Sequence, residues 1–323
     1  MITEPIAAGV IDVHAHWLPR ELFGLPPGSP FGAMHDREGQ LFLGQTPLSI
    51  DASAMSDVPA ILDDMARNNI GVRVLSAPPF AFPVQADGTE TYVDDFNNAL
   101  ADVVAGSGGA LVGLGMVTIG DPDTAIAQMK KLASVPGIAG VAIPPLLGPD
   151  SLDRGPLRHV LSTAAQLQLA VLVHPMQLPR PEWSDHYLAN LIGNPVETAT
   201  AVASLILGGV KDELPDLRIC FVHGGGCSAD LLGRWTHGWR NRPDVRRGSA
   251  RPPTAAFAEL YFDTVTHDAG ALRLLMKHAA DDRIVCGSDY PFDMAESDPV
   301  GFAAAHGPGS TSLTSAARSF LGL

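Results

Sequence analysis

Asp12-Val13-His14-Ala15-His16 places two histidines at i and i+2. On an extended strand those positions share a face, so both imidazoles can approach one metal ion. A helix would need i and i+4 instead. Three more polar groups stand at the ends of apolar runs far along the chain: His174 after Leu172-Val173, His223 after Phe221-Val222, and Asp289 after Cys286-Gly287-Ser288. Taken singly, each reads as an ordinary turn or capping residue. Their coincidence at the ends of four separate runs reads as one metal site. We assign His14, His16, His174 and Asp289 as the ligands. Three imidazoles and a carboxylate suit a divalent transition metal, with zinc the default and manganese, iron or cobalt the other candidates. His223 is left beside the metal, where it can hold or deprotonate a water whose acidity the metal raises. The three glycines after it allow a substrate close to the backbone.

Those residues need a scaffold that gathers strand ends. Eight short apolar runs rich in Val, Ile and Leu are found at 9–14, 71–76, 111–117, 138–143, 169–174, 217–223, 260–264 and 283–287. Amphipathic segments at 58–68, 92–105, 124–133, 156–168, 196–207, 228–239 and 269–279 lie between them, and a last helix is expected at 311–321. Strands alternating with helices imply parallel βαβ units, and near-continuous apolar strands imply a sheet covered on both faces. Eight units predict an α/β fold, a (β/α)8 TIM barrel, as a single domain over residues 1–323. The C-terminal strand ends of such a barrel converge on one face, which is where the polar residues stand. The Gly- and Pro-rich stretch 17–56 after the first strand is a long insertion, read as a lid or substrate loop over that face. A second loop, 176–194, is expected to help shape the pocket. Residues 291–309 read as irregular.

Composition narrows the partners. The 323 residues are 46% hydrophobic and carry a formal net charge of −14. That charge opposes nucleic acid and anionic membrane, so neither is expected. The three cysteines, Cys220, Cys227 and Cys286, have no CxxC spacing and imply no disulfide framework. No signal peptide opens the chain and no apolar stretch is long enough to cross a bilayer, so a cytoplasmic location is expected.

The motifs in this order are similar to those of the amidohydrolase superfamily. They are Asp12-Val-His-Ala-His16, Leu172-Val-His-Pro175, Asn194-Pro-Val-Glu-Thr198, Cys220-Phe-Val-His-Gly-Gly-Gly226, Gly233-Arg234, Tyr261-Phe-Asp-Thr264 and Gly287-Ser-Asp-Tyr-Pro-Phe292. The chain most resembles the branch containing α-amino-β-carboxymuconate-ε-semialdehyde decarboxylase and related metal-dependent aromatic-acid decarboxylases. That resemblance implies the same barrel, the same four ligands, usually zinc, and His223 as the catalytic histidine. It also implies a homodimer in which Arg234 reaches the neighbouring site to bind a substrate carboxylate, and Phe292 as a substrate-lining aromatic. Two departures oppose a muconate substrate. The stretch 40–45 lacks the arginine that the muconate-semialdehyde enzymes use for a carboxylate, and Met176 stands where they have a tryptophan.

The leading expectation is therefore non-oxidative decarboxylation of a small aromatic or unsaturated carboxylic acid, with His223, or else Asp289, moving the proton. Hydrolysis or hydration of a small lactone, amide or unsaturated acid uses the same parts and is the alternative. A metal-stabilised binding protein without turnover leaves His223 with no evident task. Among the other histidines, His267 follows the seventh strand and can reach the site, while His159 and His278 read as exposed helix residues.

Overall fold

A computed structural model describes residues 9–84, 88–177 and 180–323. Eight strands form one parallel sheet in the order β1 (Val10–His16), β5 (Ile70–Ser76), β6 (Leu111–Gly115), β7 (Ile138–Ile143), β8 (Ala170–Val173), β9 (Ile219–Phe221), β10 (Tyr261–Asp263) and β11 (Ile284–Val285). The sheet curls back on itself. Val13 N donates to Cys286 O at 2.9 Å and His16 N to Tyr290 O at 2.7 Å, which joins β11 to β1 and closes a TIM barrel. Every residue of β1 is buried, as are those of β6, β7 and β8. That burial on both faces is what the continuous apolar runs required.

Helices Val58–Arg67, Glu90–Ala105, Pro122–Leu132, Gly155–Leu167, Asn194–Leu207, Ser228–Asn241 and Ala269–His278 follow the strands, each at or near its expected place. The helix Ser310–Leu321 packs on β1 and β11 with Leu313, Ala316, Ala317 and Phe320 inward. The strands are mostly shorter than the apolar runs. The run 217–223 yields only Ile219–Phe221, because His223 turns into the left-handed region at φ 54° and ends the extended chain. In contrast β1 runs past residue 14 to His16, since Ala15 and His16 still pair with Leu75 and Ser76.

Two stretches with no predicted regular elements, the insertion 17–56 and the segment 291–309, carry regular structure. Within 17–56 an antiparallel sheet forms from β2 (Met34–Arg37), β3 (Gln40–Leu43) and β4 (Thr46–Asp51). Its turns fall at Glu38-Gly39 and Gly44-Gln45, where positive φ at Glu38 (55°), Gly39 (92°) and Gly44 (60°) lets the chain reverse tightly. Within 291–309, Pro299–His306 is a helix. Asp298 caps it by accepting from Gly301 N at 2.9 Å, with Pro299 in the first turn. His278 is half-buried against the Phe257 ring rather than exposed, whereas His159 is exposed.

Candidate metal centre and active site

His14 and His16 lie on the same face of β1, as i and i+2 must. His174 follows β8, and Asp289 follows β11. One ligand atom from each of these four residues lies within 4.8 Å of the others, and all four side chains are buried. Asp289 Oδ1 is the hub, at 3.2 Å from His14 Nε2, 3.1 Å from His16 Nε2 and 3.9 Å from His174 Nε2. The other carboxylate oxygen, Oδ2, is 3.2 Å from His223 Nε2. The sequence therefore named five residues that the fold brings to one point.

Each ring is oriented through its other nitrogen. His14 Nδ1 meets Asp263 Oδ2 at 2.6 Å, His16 Nδ1 meets Ala77 O at 3.1 Å, and His174 Nδ1 meets Pro175 O at 2.6 Å. With Nδ1 donating to these oxygens, the three Nε2 lone pairs face inward. His14 Nε2 and His174 Nε2 are buried without a hydrogen-bond partner. Buried polar atoms are seldom left so. Three inward lone pairs beside one carboxylate oxygen are what a divalent metal ion would satisfy, so the residues fit that group.

In the bare site, electrostatics divide the protons. Burial pulls His14 down, but the Asp289 charge and the hydrogen bond to Asp263 win and raise it to about 10. Burial lowers His16, and lowers His174 well below the ordinary histidine range. Burial alone would raise Asp289. The positive His14 and the imidazoles close to it instead hold it well below the usual carboxylate range.

A buried network underlies the centre. Arg73 donates through Nε to Asp12 Oδ2 at 2.9 Å and through Nη2 to Asp64 Oδ2 at 2.8 Å, and its guanidinium lies 4.3 Å from the centroid of the Tyr290 ring. Asp12 also accepts from Ser288 N at 3.0 Å, Ser288 Oγ at 2.6 Å and His14 N at 3.2 Å. Asp12 thus ties the strand that carries His14 to the residue before Asp289. Asp289 itself sits at φ 62°. A left-handed conformation costs a non-glycine residue about 1–2 kcal/mol, so surrounding contacts must impose it.

A cavity of about 460 Å³ opens onto the centre. Its inner end presents His174, His223 and Asp289. Its outer wall comes from the insertion, through Leu43, Thr46, Leu48 and Ile50, as the reading of 17–56 as a substrate loop expected. Phe292 lines it and packs edge-on to His16, with ring centroids 5.0 Å apart. From the loop 176–194, Met176, Gln177, Tyr187 and Asn190 contribute, while positions 178 and 179 lie outside the described residues. A second chamber of about 280 Å³ lies against His223 and Asp289 and is lined by Cys227, Asp230 and His267. Arg234 lines neither chamber. It is exposed on the helix Ser228–Asn241.

Two buried carboxylates received no role from the sequence. Asp263 holds His14 and also accepts from Gly224 N at 2.8 Å, next to His223. Glu197 is buried and accepts from Met176 N at 2.8 Å, which fixes the start of the pocket loop. For Asp263 a signal existed, since it stands next to the end of the seventh apolar run, 260–264, much as Asp289 follows the eighth. Glu197 falls in the motif Asn194–Thr198, but its position inside a helix gave no role.

Comparison with known proteins places this geometry. The family described as amidohydrolase matches residues 11–319. A 2-amino-3-carboxymuconate-6-semialdehyde decarboxylase of Dictyostelium discoideum is 27% identical over 304 residues, covering 90% of this chain and 83% of that protein. The solved 5-carboxyvanillate decarboxylase of Sphingomonas paucimobilis superposes with a TM-score of 0.82 at 20% identity, covering 98% of this chain and 99% of that one. The Novosphingobium aromaticivorans 5-carboxyvanillate decarboxylase, solved with manganese and 4-hydroxy-3-methoxy-5-nitrobenzoic acid, superposes with a TM-score of 0.79 at 17% identity over 100% of both chains. With a family match over nearly its whole length and the barrel and buried His/Asp cluster in place, the chain belongs to the amidohydrolase family.

Proposed function

We propose that the protein is a metal-dependent non-oxidative decarboxylase of a small aromatic or unsaturated carboxylic acid. The observation that carries this reading is the arrangement around Asp289, with one oxygen among three inward-facing imidazole nitrogens and the other on His223. Decarboxylases among both the sequence relatives and the structural neighbours support it. They weigh against the hydrolase alternative.

His14, His16, His174 and Asp289 would hold the ion. Zinc is our assignment for this imidazole-rich set, and manganese, present in several structural neighbours, is the main rival. When bound, the metal supplies a Lewis acid that polarises a substrate oxygen. His223 delivers a proton to the ring or alkene carbon that bears the carboxylate, which makes that carbon an electron acceptor. The bond to the carboxylate carbon then breaks, its electron pair returns to the substrate carbon, and CO2 leaves. The product keeps the proton, and His223 recovers one from solvent. Asp289 Oδ2 orients the His223 ring and is the other candidate for moving the proton. Phe292 forms an aromatic wall for the substrate.

We assign Arg234 to the neighbouring site of a homodimer, where it would bind substrate carboxylate. Leu191, Ile192 and Val196 are 47%, 45% and 37% exposed, near the start of the helix that packs on the one bearing Arg234. Such an apolar patch supports an interface there. If the assignment holds, mixing an Arg234→Ala chain with a His223→Ala chain restores activity that neither has alone. No restoration in confirmed mixed dimers removes Arg234 from the neighbour's site.

The deciding experiment measures metal content by elemental analysis together with CO2 release from hydroxybenzoic, aminobenzoic and muconic-type acids. About one metal per chain with CO2 release is expected. One metal with a new carboxylate formed from a lactone or amide, and no CO2 from any acid, would move the function to hydrolysis.

A further inference from the structure

The cavity in front of the metal centre is unequal at its two ends. Thr46, Pro47, Leu48 and Ile50 of β4 all line the cavity, across a stretch where the pairing with β3 shifts register. Phe80 and Phe292 continue that wall towards the centre, with ring centroids 6.2 Å apart. This half offers a substrate aliphatic and aromatic surface. At about 460 Å³ the cavity has roughly three times the space that encloses a benzene molecule, about 150 Å³. There is room for a ring and a substituent of similar size.

Charge points the same way. No lysine or arginine lines the cavity among the described residues, whereas Asp289 and Asp293 do. The nearby cations of the insertion and pocket loops are engaged elsewhere. Arg20 pairs with Asp36 at 2.5 Å, Arg37 lies 4.4 Å from the Phe42 ring centroid, and Arg180 lies 4.9 Å from that of Trp183. The metal, and the arginine proposed to arrive from the neighbouring subunit, can answer one carboxylate. A second, on the far side of the substrate, would be desolvated against apolar carbon with no counter-cation. Asn194 Oδ1 is buried without a partner and Asn194 borders both chambers, so it can accept from a ring hydroxyl or amine.

We propose that the substrate is a hydroxy- or amino-substituted acid with a single carboxylate, carrying an apolar substituent that seats on the Thr46–Ile50 face. The inference rests on the reading that the leaving carboxylate faces the metal centre.

The test titrates the zinc-loaded protein with salicylates bearing hydrogen, methyl, ethyl or propyl at ring carbon 4 or 5, and with salicylates bearing a carboxylate at those carbons. Binding is followed by calorimetry, with CO2 release in parallel. Affinity should rise about fourfold per added methylene at the productive carbon. The second carboxylate should weaken binding at least about tenfold relative to hydrogen. Leu48→Lys, or Thr46→Lys at an exposed position should the first variant misfold, should reverse that preference. A wild-type protein that binds the dicarboxylate as well as the propyl compound, or binds no alkyl salicylate, overturns the proposal. Alkyl preference without CO2 release upholds the substrate class and sinks the decarboxylase reading. CO2 release with the dicarboxylate preferred does the opposite.

Discussion

His14 Nδ1 lies 2.6 Å from Asp263 Oδ2, and both side chains are fully excluded from solvent. A carboxylate behind an imidazole fixes the ring and strengthens its far nitrogen as a ligand. Replacing Asp263 with Asn keeps the shape and removes the charge. Metal affinity should then fall about 10- to 100-fold, measured by competition with a chromophoric chelator. Unchanged affinity in a folded variant would show that the pair only packs.

His223 should be separable from metal binding. It occupies the left-handed region at φ 54°, so the informative replacement is Asn, which tolerates that backbone. His223→Asn should keep its metal and lose about 10²–10⁴-fold in kcat, the range for a general acid. Loss of the metal along with the activity would make His223 a ligand instead.

The legible part of the site was the part at strand ends. His14, His16, His174, His223 and Asp289 could be named because each stands within about four residues of the end of β1, β8, β9 or β11, and the barrel brings those ends together. Other features depend on contacts between residues far apart in the chain. Nothing near Asp12 announces that Arg73 and Ser288 meet it in the interior. The insertion sheet was missed for another reason. Glycine and proline there suggested a long loop, yet Gly39 and Gly44 mark two tight reversals between short strands. Asp298-Pro299 likewise held a helix-start signal inside a stretch passed over as loop.

The bare centre and the loaded one should respond oppositely to pH. His14 is raised from 6.5 to about 10 in the metal-free protein. Its contribution to stability is fully present below pH 6.5 and lost as the pH rises through about 10. Asp289 is depressed, so its contribution is present above its usual value of 3.8 and lost as the pH falls through its lower native value. Metal binding must instead displace the His14 proton, and should release about one proton per ion near neutrality. Calorimetry of zinc uptake in buffers of different ionisation enthalpy counts it. A buffer-independent enthalpy would contradict this assignment of the proton.

Arg73 and Asp12 are both fully buried, so removing one partner strands the other. Arg73→Met should cost about 3–5 kcal/mol, and the further change Asp12→Asn should recover part of that loss. Urea unfolding of the two single variants and the double variant tests the coupling. A single-variant loss under about 1 kcal/mol would mean that Ser288 and the backbone satisfy Asp12 alone.

Among the described residues the insertion strands β2–β4 pair only with one another, and none joins the barrel sheet. One wall of the cavity thus lies on a stretch of chain separate from the four clustered His and Asp residues. If the proposed reaction holds, a directed-evolution library confined to the wall residues Leu43, Thr46, Pro47 and Leu48, with the buried Leu41 and Ile50 kept, should shift substrate choice far more often than it abolishes turnover.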